Sequence, residues 1–332
     1  MSSISTTINH QVTISNFIRG ESRESIITEI YNDLNARHRS ISSKYFYDDL
    51  GSSLFEEITT LYEYYPARTE KSILRHIAPE ILKDIDGLDI IELGSGDCSK
   101  ISILLDTVPS SKINRILYIP VDVSEMAILK SAELLSYNYP GLPIHGLVAD
   151  FIKHLNGLPG IKKRLICFFG STIGNLGNAE ACQFLSNIRK LMRPGDCLLV
   201  GFDLVKDQQI LEAAYNDPQG ITAAFNKNIL EVVNRIAETN IYPDLFEHIA
   251  FYNPGKSRIE MHLRAIQEMV IESRYFPDII HLEKGDSIHT ENSHKYTTKD
   301  IQGFGTVTGL HLDNIYMDAH QWFGLGLFKL LN

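Results

Sequence analysis

The sequence predicts an α/β fold: a doubly wound, mostly parallel sheet with an inserted second α+β domain. Three observations predict it. Short apolar runs alternate with helix-length segments between residues 88 and 205. That alternation stops over 206–296, and two more strand-like runs close the chain. Apolar residues make up 44% and charged residues 22% of the 332, an ordinary balance for a chain with a sizeable core.

The first run, 88–93, ends in a glycine turn. Runs at 115–123, 143–148, 164–169 and 197–204 follow, each bounded by turn residues, as in strands buried on both faces. Between them, 124–136 and 179–191 carry apolar residues at helical spacing. Strand–helix–strand repetition implies parallel neighbours. A helix at 297–309 and strands at 311–317 and 323–331 are expected to return to the same sheet, making seven strands. The interruption holds a helical region, 221–237, and strand-like pieces at 258–268 and 287–296. The expected division is therefore a sheet domain of 71–205 and 297–332, and a second domain of 16–70 and 206–296. The Ser/Thr-rich residues 1–15 are expected to be mobile. Ligands of open parallel sheets bind beyond the carboxyl ends of the strands, so a second domain over those ends would make a closed cleft.

Charge and cysteine usage narrow the function. The net charge is −10, with a pI near 5.6, which argues against nucleic acid or an anionic membrane as partner. No apolar run approaches the ~18 residues of a spanning helix, and the polar N-terminus lacks the apolar centre of a signal peptide. Cys98, Cys167, Cys182 and Cys197 form no CxxC pair, and the twelve histidines show no HExxH, so no metal site is expected. Buried free thiols in a reducing cytoplasm are the expectation.

Three successive strand ends carry groups suited to a nucleoside. Gly94-Ser95-Gly96 follows the first strand, where a glycine turn lets backbone approach a ligand and the next helix offers N–H groups. Ser99 stands where a dinucleotide fingerprint needs its third glycine, which sets aside a nicotinamide enzyme. Asp122 ends the second strand, where a carboxylate can accept from ribose hydroxyls. Asp150 and Phe151 end the third, an acid and an aromatic for the adenine amino group and ring. Each alone could be a turn, and an Asp before a helix is commonly only a cap. No GxxxxGK[ST] is present. A nucleoside without phosphates, such as S-adenosylmethionine, therefore fits better than ATP, and its sulfonium suits acidic surroundings.

Further motifs are Lys44-Tyr45-Phe46-Tyr47, Glu63-Tyr64-Tyr65-Pro66-Ala67-Arg68-Thr69-Glu70, Gly170-Ser171-Thr172-Ile173-Gly174-Asn175 and Phe202-Asp203-Leu204-Val205-Lys206-Asp207. Ala214-Tyr215-Asn216-Asp217, Gly220-Ile221-Thr222-Ala223-Ala224-Phe225-Asn226, Arg258-Ile259-Glu260-Met261 and Thr290-Glu291-Asn292-Ser293 follow. With these, the chain from about residue 40 onward resembles the histidine Nα-methyltransferases of ergothioneine biosynthesis, a family shared with dimethylallyltryptophan N-methyltransferases. The resemblance implies a Rossmann-like methyltransferase fold. It implies that Gly94, Lys100, Asp122, Asp150, Phe151 and Gly170 line the S-adenosylmethionine site, S-adenosylhomocysteine being the product. It implies that Tyr64, Asn175 and Tyr215 grip the substrate's carboxylate and amine, and that Tyr47 lies close to the amine. It assigns Glu291 and Ser293 to reading the imidazole and Met261 to its pocket.

The chemistry agrees with that assignment. Imidazole offers one donor and one acceptor when neutral and two donors when charged, which a carboxylate and a hydroxyl can satisfy. On a strand, residues two apart share a face. An indole has a single N–H and a larger body, so the pair favours histidine over tryptophan. Three departures from the bacterial histidine enzymes stand out: Asn292, His294 and Ala67. Strand alternation would turn Asn292 and His294 away from the reading pair. The implied reaction is direct in-line methyl transfer to the α-amine, up to trimethylhistidine, with Tyr47 or a water on it taking the proton. A monomer with a small-molecule substrate is expected. The alternatives are another amine, such as a tryptophan derivative, or a non-catalytic S-adenosylmethionine or amino-acid binder. Lys206 and Asp207 read as no more than the exit of the fifth strand.

Overall fold

The structure is a computed structural model describing residues 4–7, 11–18, 22–83, 87–154, 160 and 162–331. The chain divides into two compact units. Unit 1 takes residues up to 19, 66–205 and 294 onward; unit 2 takes 20–65 and 206–293. In chain order the strands of unit 1 are β1 (Ile4–Thr7), β2 (Val12–Asn16), β3 (Leu88–Leu93), β4 (Ile116–Asp122), β5 (Ile144–Val148), β6 (Lys163–Phe168) and β7 (Cys197–Asp203). Unit 2 adds β8 (Phe246–Asn253), β9 (Arg258–Ala265), β10 (Met269–Ile271), β11 (Ile280–Leu282) and β12 (Ser287–His294). The chain ends in β13 (His311–Met317) and β14 (Phe323–Lys329), back in unit 1. The helices are α1 (Arg23–Asn35), α2 (Asp49–Thr60), α3 (Tyr65–Ile81), α4 (Ser99–Leu105), α5 (Glu125–Asn138), α6 (Asn178–Leu191), α7 (Gln208–Ala213), α8 (Ile221–Ala237) and α9 (Thr298–Thr308).

Unit 1 is a nine-stranded sheet in the order β1-β2-β5-β4-β3-β6-β7-β14-β13. The run β2-β5-β4-β3-β6-β7 is parallel, and β14 pairs antiparallel with both β7 and β13. The seven strands read from the sequence are all present. Within the stretch 1–15 read as polar chain, Ile4–Thr7 and the start of Val12–Asn16 are strands, while 1–3 and 8–10 lie outside the described residues. Val12 and Ile14 bury 97% and 95% of their surface, and β2 lies in register with β5. Thr is a good strand residue, and the polarity of the Ser and Thr residues hid the pattern. The unit boundaries also differ from the expected 71 and 297. Residues 66–70 and 294–296 belong to unit 1, because Glu70 bonds the loop after β6 and Tyr296 pairs with β7.

Two apolar layers flank the sheet. One joins Ile73, Leu74 and Ile77 of α3 to Ile90, Tyr118 and Leu135; the other joins Phe184 and Ile188 of α6 to Ile91, Phe168 and Phe202. One buried acid interrupts the first layer. Glu92 is 2% exposed and accepts the Tyr118 hydroxyl at 2.6 Å.

Unit 2 has its own core. α8 packs against α1, α2, β8 and β9, burying Phe225, Ile229, Leu230 and Val233. Its three-stranded sheet runs β12-β9-β8, and β10 and β11 form a separate pair. Asp217 starts α8 by accepting the main-chain N–H groups of Ile221 (2.9 Å) and Thr222 (2.8 Å). Burial alone would raise its pKa, but these bonds and the Thr222 hydroxyl outweigh it and hold the carboxyl below the usual range.

Burial pushes Glu92 up to about 8, against a lowering by the Tyr118 hydroxyl. An acid whose folded pKa is raised binds its proton more tightly when folded. Stability should therefore fall as pH rises from the ordinary glutamate range through about 8, by ~1.4 kcal/mol per pH unit within that window. Glu92→Gln, which can still accept from Tyr118, should remove that slope and raise the melting temperature at pH 9. An unchanged pH dependence in thermal unfolding would show that Glu92 is ionised in the folded protein.

Candidate functional site

The candidate residues fall into two sets, one in each unit. In unit 1 they follow the carboxyl ends of adjacent parallel strands. Gly94, directly after β3, has φ +70° and donates to the Val121 carbonyl at 2.8 Å. Asp122 ends β4, with one carboxylate oxygen accepting Gly96 N–H at 3.0 Å and the other Ser124 N–H at 3.0 Å. The cap of α5 is Ser124, whose hydroxyl accepts from Ala127, so Asp122 is spared the capping role. Burial raises the Asp122 carboxyl above the usual aspartate range, with the Ser124 and Gly96 N–H groups opposing. Asp150 follows β5 and accepts from Ile152 N–H at 2.8 Å. Phe151 packs edge-on against Phe168, 5.3 Å between centroids, and a side chain on Gly94 would come within 3.7 Å of its ring.

A buried carboxylate that the sequence left without a role ties Gly170 to Lys100. Both oxygens of Glu70, 0% exposed, accept Gly170 N–H at 2.9 Å, and the Lys100 ammonium lies 2.8 Å from one of them. Gly170 has φ +78°, and a Cβ there would stand 3.1 Å from the Lys100 nitrogen. A side chain would thus be both strained and crowded at this point. In the sequence Glu70 only closes the Glu63–Glu70 motif, with no role attached to it.

Asn175 ends the short 3-10 turn Thr172–Asn175 after β6. Ser171, at φ +56°, opens that turn, and its hydroxyl accepts Asp203 N–H at 2.8 Å. The Tyr296 hydroxyl donates to the Ile173 carbonyl at 3.2 Å. Beside it, Lys295 and Asp203, 0% and 1% exposed, form an ion pair at 2.8 Å.

In unit 2 the aromatic candidates form one chain of contacts. Tyr47 meets Phe55 (5.8 Å) and Phe225 (6.0 Å), Phe55 meets Tyr64 (6.2 Å), and Tyr64 meets Tyr215 (6.2 Å). Asp48 anchors the Tyr47 segment to α8, accepting from Asn228 at 2.7 Å and Arg235 at 2.6 Å. The Tyr215 hydroxyl donates to the Ser293 hydroxyl at 2.7 Å. Lys206 donates to the Tyr65 hydroxyl at 2.7 Å, and Asp207 caps α7 through Gln209 N–H.

Glu291 and Ser293 sit on β12. The β8–β9 register places His248 on one face with Leu263 and His262 on the other with Ile249. His289 meets the His262 ring at 5.0 Å, and its Nε2 lies 2.9 Å from Asn292. Ser293 instead meets Tyr215, whose carbonyl contacts His248. Met261, on the neighbouring strand β9, is 2% exposed and lies on the face of His248.

Glycine turns at positive φ, acids at two strand ends and a lysine held at a third suit a phosphate-free nucleoside bearing an amino acid and a sulfonium. Among the described residues no group of three His, Cys, Asp or Glu could hold a metal, and no helix is long and apolar enough to cross a membrane. This fold with this site defines an S-adenosylmethionine-dependent methyltransferase. The model of the histidine-specific, S-adenosylmethionine-dependent methyltransferase family matches residues 26–330, and the chain belongs to that family. It is 37% identical to the histidine N-alpha-methyltransferase of Mycolicibacterium smegmatis, over 95% of this chain and 98% of that one. It is 38% identical to the enzyme of the same name from Mycobacterium tuberculosis, over 90% of this chain and 93% of that one. Among solved structures, the CcbJ methyltransferase of Streptomyces caelestis aligns with a TM-score of 0.45 at 16% identity, over 77% of this chain and 94% of that one.

The Lys295–Asp203 pair yields a prediction that needs no ligand. Removing one partner of a buried pair strands the other charge, so Lys295→Met should cost about 3–5 kcal/mol in urea unfolding. A loss below 1 kcal/mol would show that the pair does not hold the loop after β6.

Proposed function

We propose that the protein methylates the α-amino group of free L-histidine, up to the trimethylated betaine, as a cytoplasmic monomer serving ergothioneine synthesis. The reading rests on β12, which carries Glu291 and Ser293, lying beside β9, which carries the buried Met261, with the Tyr215 hydroxyl bonded to Ser293. A carboxylate and a hydroxyl two residues apart can match both nitrogens of an imidazole, and a buried methionine can supply an apolar wall. The family and the two mycobacterial relatives support the same substrate. The four cysteines are free thiols, in keeping with a reducing compartment.

In this reading Gly94 and Gly170 let main chain lie against the cofactor, Asp122 accepts from the ribose, and Asp150 and Phe151 take the adenine. Lys100, oriented by Glu70, binds the cofactor's carboxylate. When bound, S-adenosylmethionine supplies an electrophilic methyl group on sulfur. Tyr64, Asn175 and Tyr215 hold the histidine carboxylate and amine so that the nitrogen lone pair is aimed, and this orientation supplies most of the rate. An α-amine is mostly protonated at pH 7, so Tyr47, or a water on it, accepts the proton.

Tyr47→Phe should lower turnover at least tenfold while S-adenosylhomocysteine binding is kept; unchanged turnover would remove Tyr47 from the mechanism. Glu291→Ala should weaken L-histidine binding about tenfold or more. Calorimetry of L-histidine and L-tryptophan against the protein with S-adenosylhomocysteine tests the reading itself. Histidine alone should bind; tryptophan binding in its place would move the substrate to an indole amine.

A further inference from the structure

Asn226, on α8, is fully buried, with both amide N–H groups and the carbonyl oxygen bonded. Its Nδ2 donates to the His262 carbonyl at 3.1 Å and to His248 Nδ1 at 2.8 Å. Its Oδ1 accepts the Thr290 hydroxyl at 2.7 Å. These bonds fix the neighbouring tautomer: His248 Nδ1 accepts, so its proton is on Nε2, which donates to the Tyr215 carbonyl at 2.9 Å. Burial pushes His248 below the usual imidazole range, against a raising by that carbonyl, and so favours the neutral ring that the pattern requires. The Thr290 hydroxyl also lies 3.1 Å from the Met261 carbonyl.

From one side-chain amide, bonds therefore lead to three segments. One bears Tyr215, one bears Met261, and the third bears Glu291 and Ser293 directly after Thr290. The third contact ties the strand that carries Glu291 and Ser293 to α8.

We propose that Asn226 is the positioning residue of the histidine pocket: through Thr290 and His248 it holds the Met261, Glu291–Ser293 and Tyr215 segments in register and so sets selectivity for an imidazole side chain. The proposal rests on the histidine reading given above. Asn226 itself need not touch the substrate. Its loss therefore acts on histidine binding and not on the cofactor residues, all of which belong to unit 1.

The test compares wild type with Asn226→Ala, Thr290→Val and Thr290→Ser. L-histidine KM and kcat and the Kd of S-adenosylhomocysteine are measured for each, alongside the melting temperature. Asn226→Ala should raise the histidine KM about tenfold or more and leave the S-adenosylhomocysteine Kd within about twofold. Thr290→Val should raise KM in the same direction, and Thr290→Ser, which keeps the hydroxyl, should restore it. If Asn226→Ala does not fold, the Thr290 pair decides. An unchanged KM in Asn226→Ala and Thr290→Val, or equal losses in histidine and cofactor affinity, would overturn the proposal and leave Asn226 as a fold-stabilising amide. Wild type that neither binds nor methylates histidine would instead sink the pocket reading, and the proposal with it.

Discussion

Parallel pairing is the constraint on which the rest depends. Because β3, β4, β5 and β6 all run the same way, the first residues after each emerge along one edge of the sheet. Gly94, Asp122, Asp150, Phe151 and Gly170 come from four separate stretches of chain and are brought together by this register alone. The apolar layers on both faces fix the strands, and main-chain bonds such as Gly94 N–H to the Val121 carbonyl fix the exits. Glu70 adds the one feature that apolar packing cannot give, a buried negative charge that orients a lysine and a main-chain N–H together. Burying that carboxylate is costly, and the ammonium and N–H that it binds offset the cost.

Unit 2 is built differently, around a well-packed helix, α8, and a three-stranded sheet. Aromatic rings from Tyr47 to Tyr215 make a continuous wall, and hydrogen bonds, not apolar burial, define its polar end.

The sheet was largely legible in the sequence because strands buried on both faces write themselves as apolar runs. The edge strands β1 and β2 were not, since their Ser and Thr residues resemble a solvated tail, and only the partner β5 reveals that Val12 and Ile14 point inward. Individual site residues were legible mainly through the resemblance of whole motifs. What held them in place was not: Glu70 meets Gly170 across 100 residues of chain, and Asn226 meets Thr290 across 64. No local period or spacing encodes such pairs. The i, i+2 spacing of Glu291 and Ser293 was legible, but the bond from the Tyr215 hydroxyl to Ser293, across 78 residues, was not.

The central claim is the chemical identity of the methyl acceptor. It is tested most directly by carbon-13 NMR of a reaction containing L-histidine and S-adenosylmethionine labelled in its methyl group. The account predicts label on the α-nitrogen, ending in one trimethylammonium signal coupled to the histidine Cα proton. Label on an imidazole nitrogen, or transfer to another amino acid in competition while histidine stays unlabelled, would contradict it.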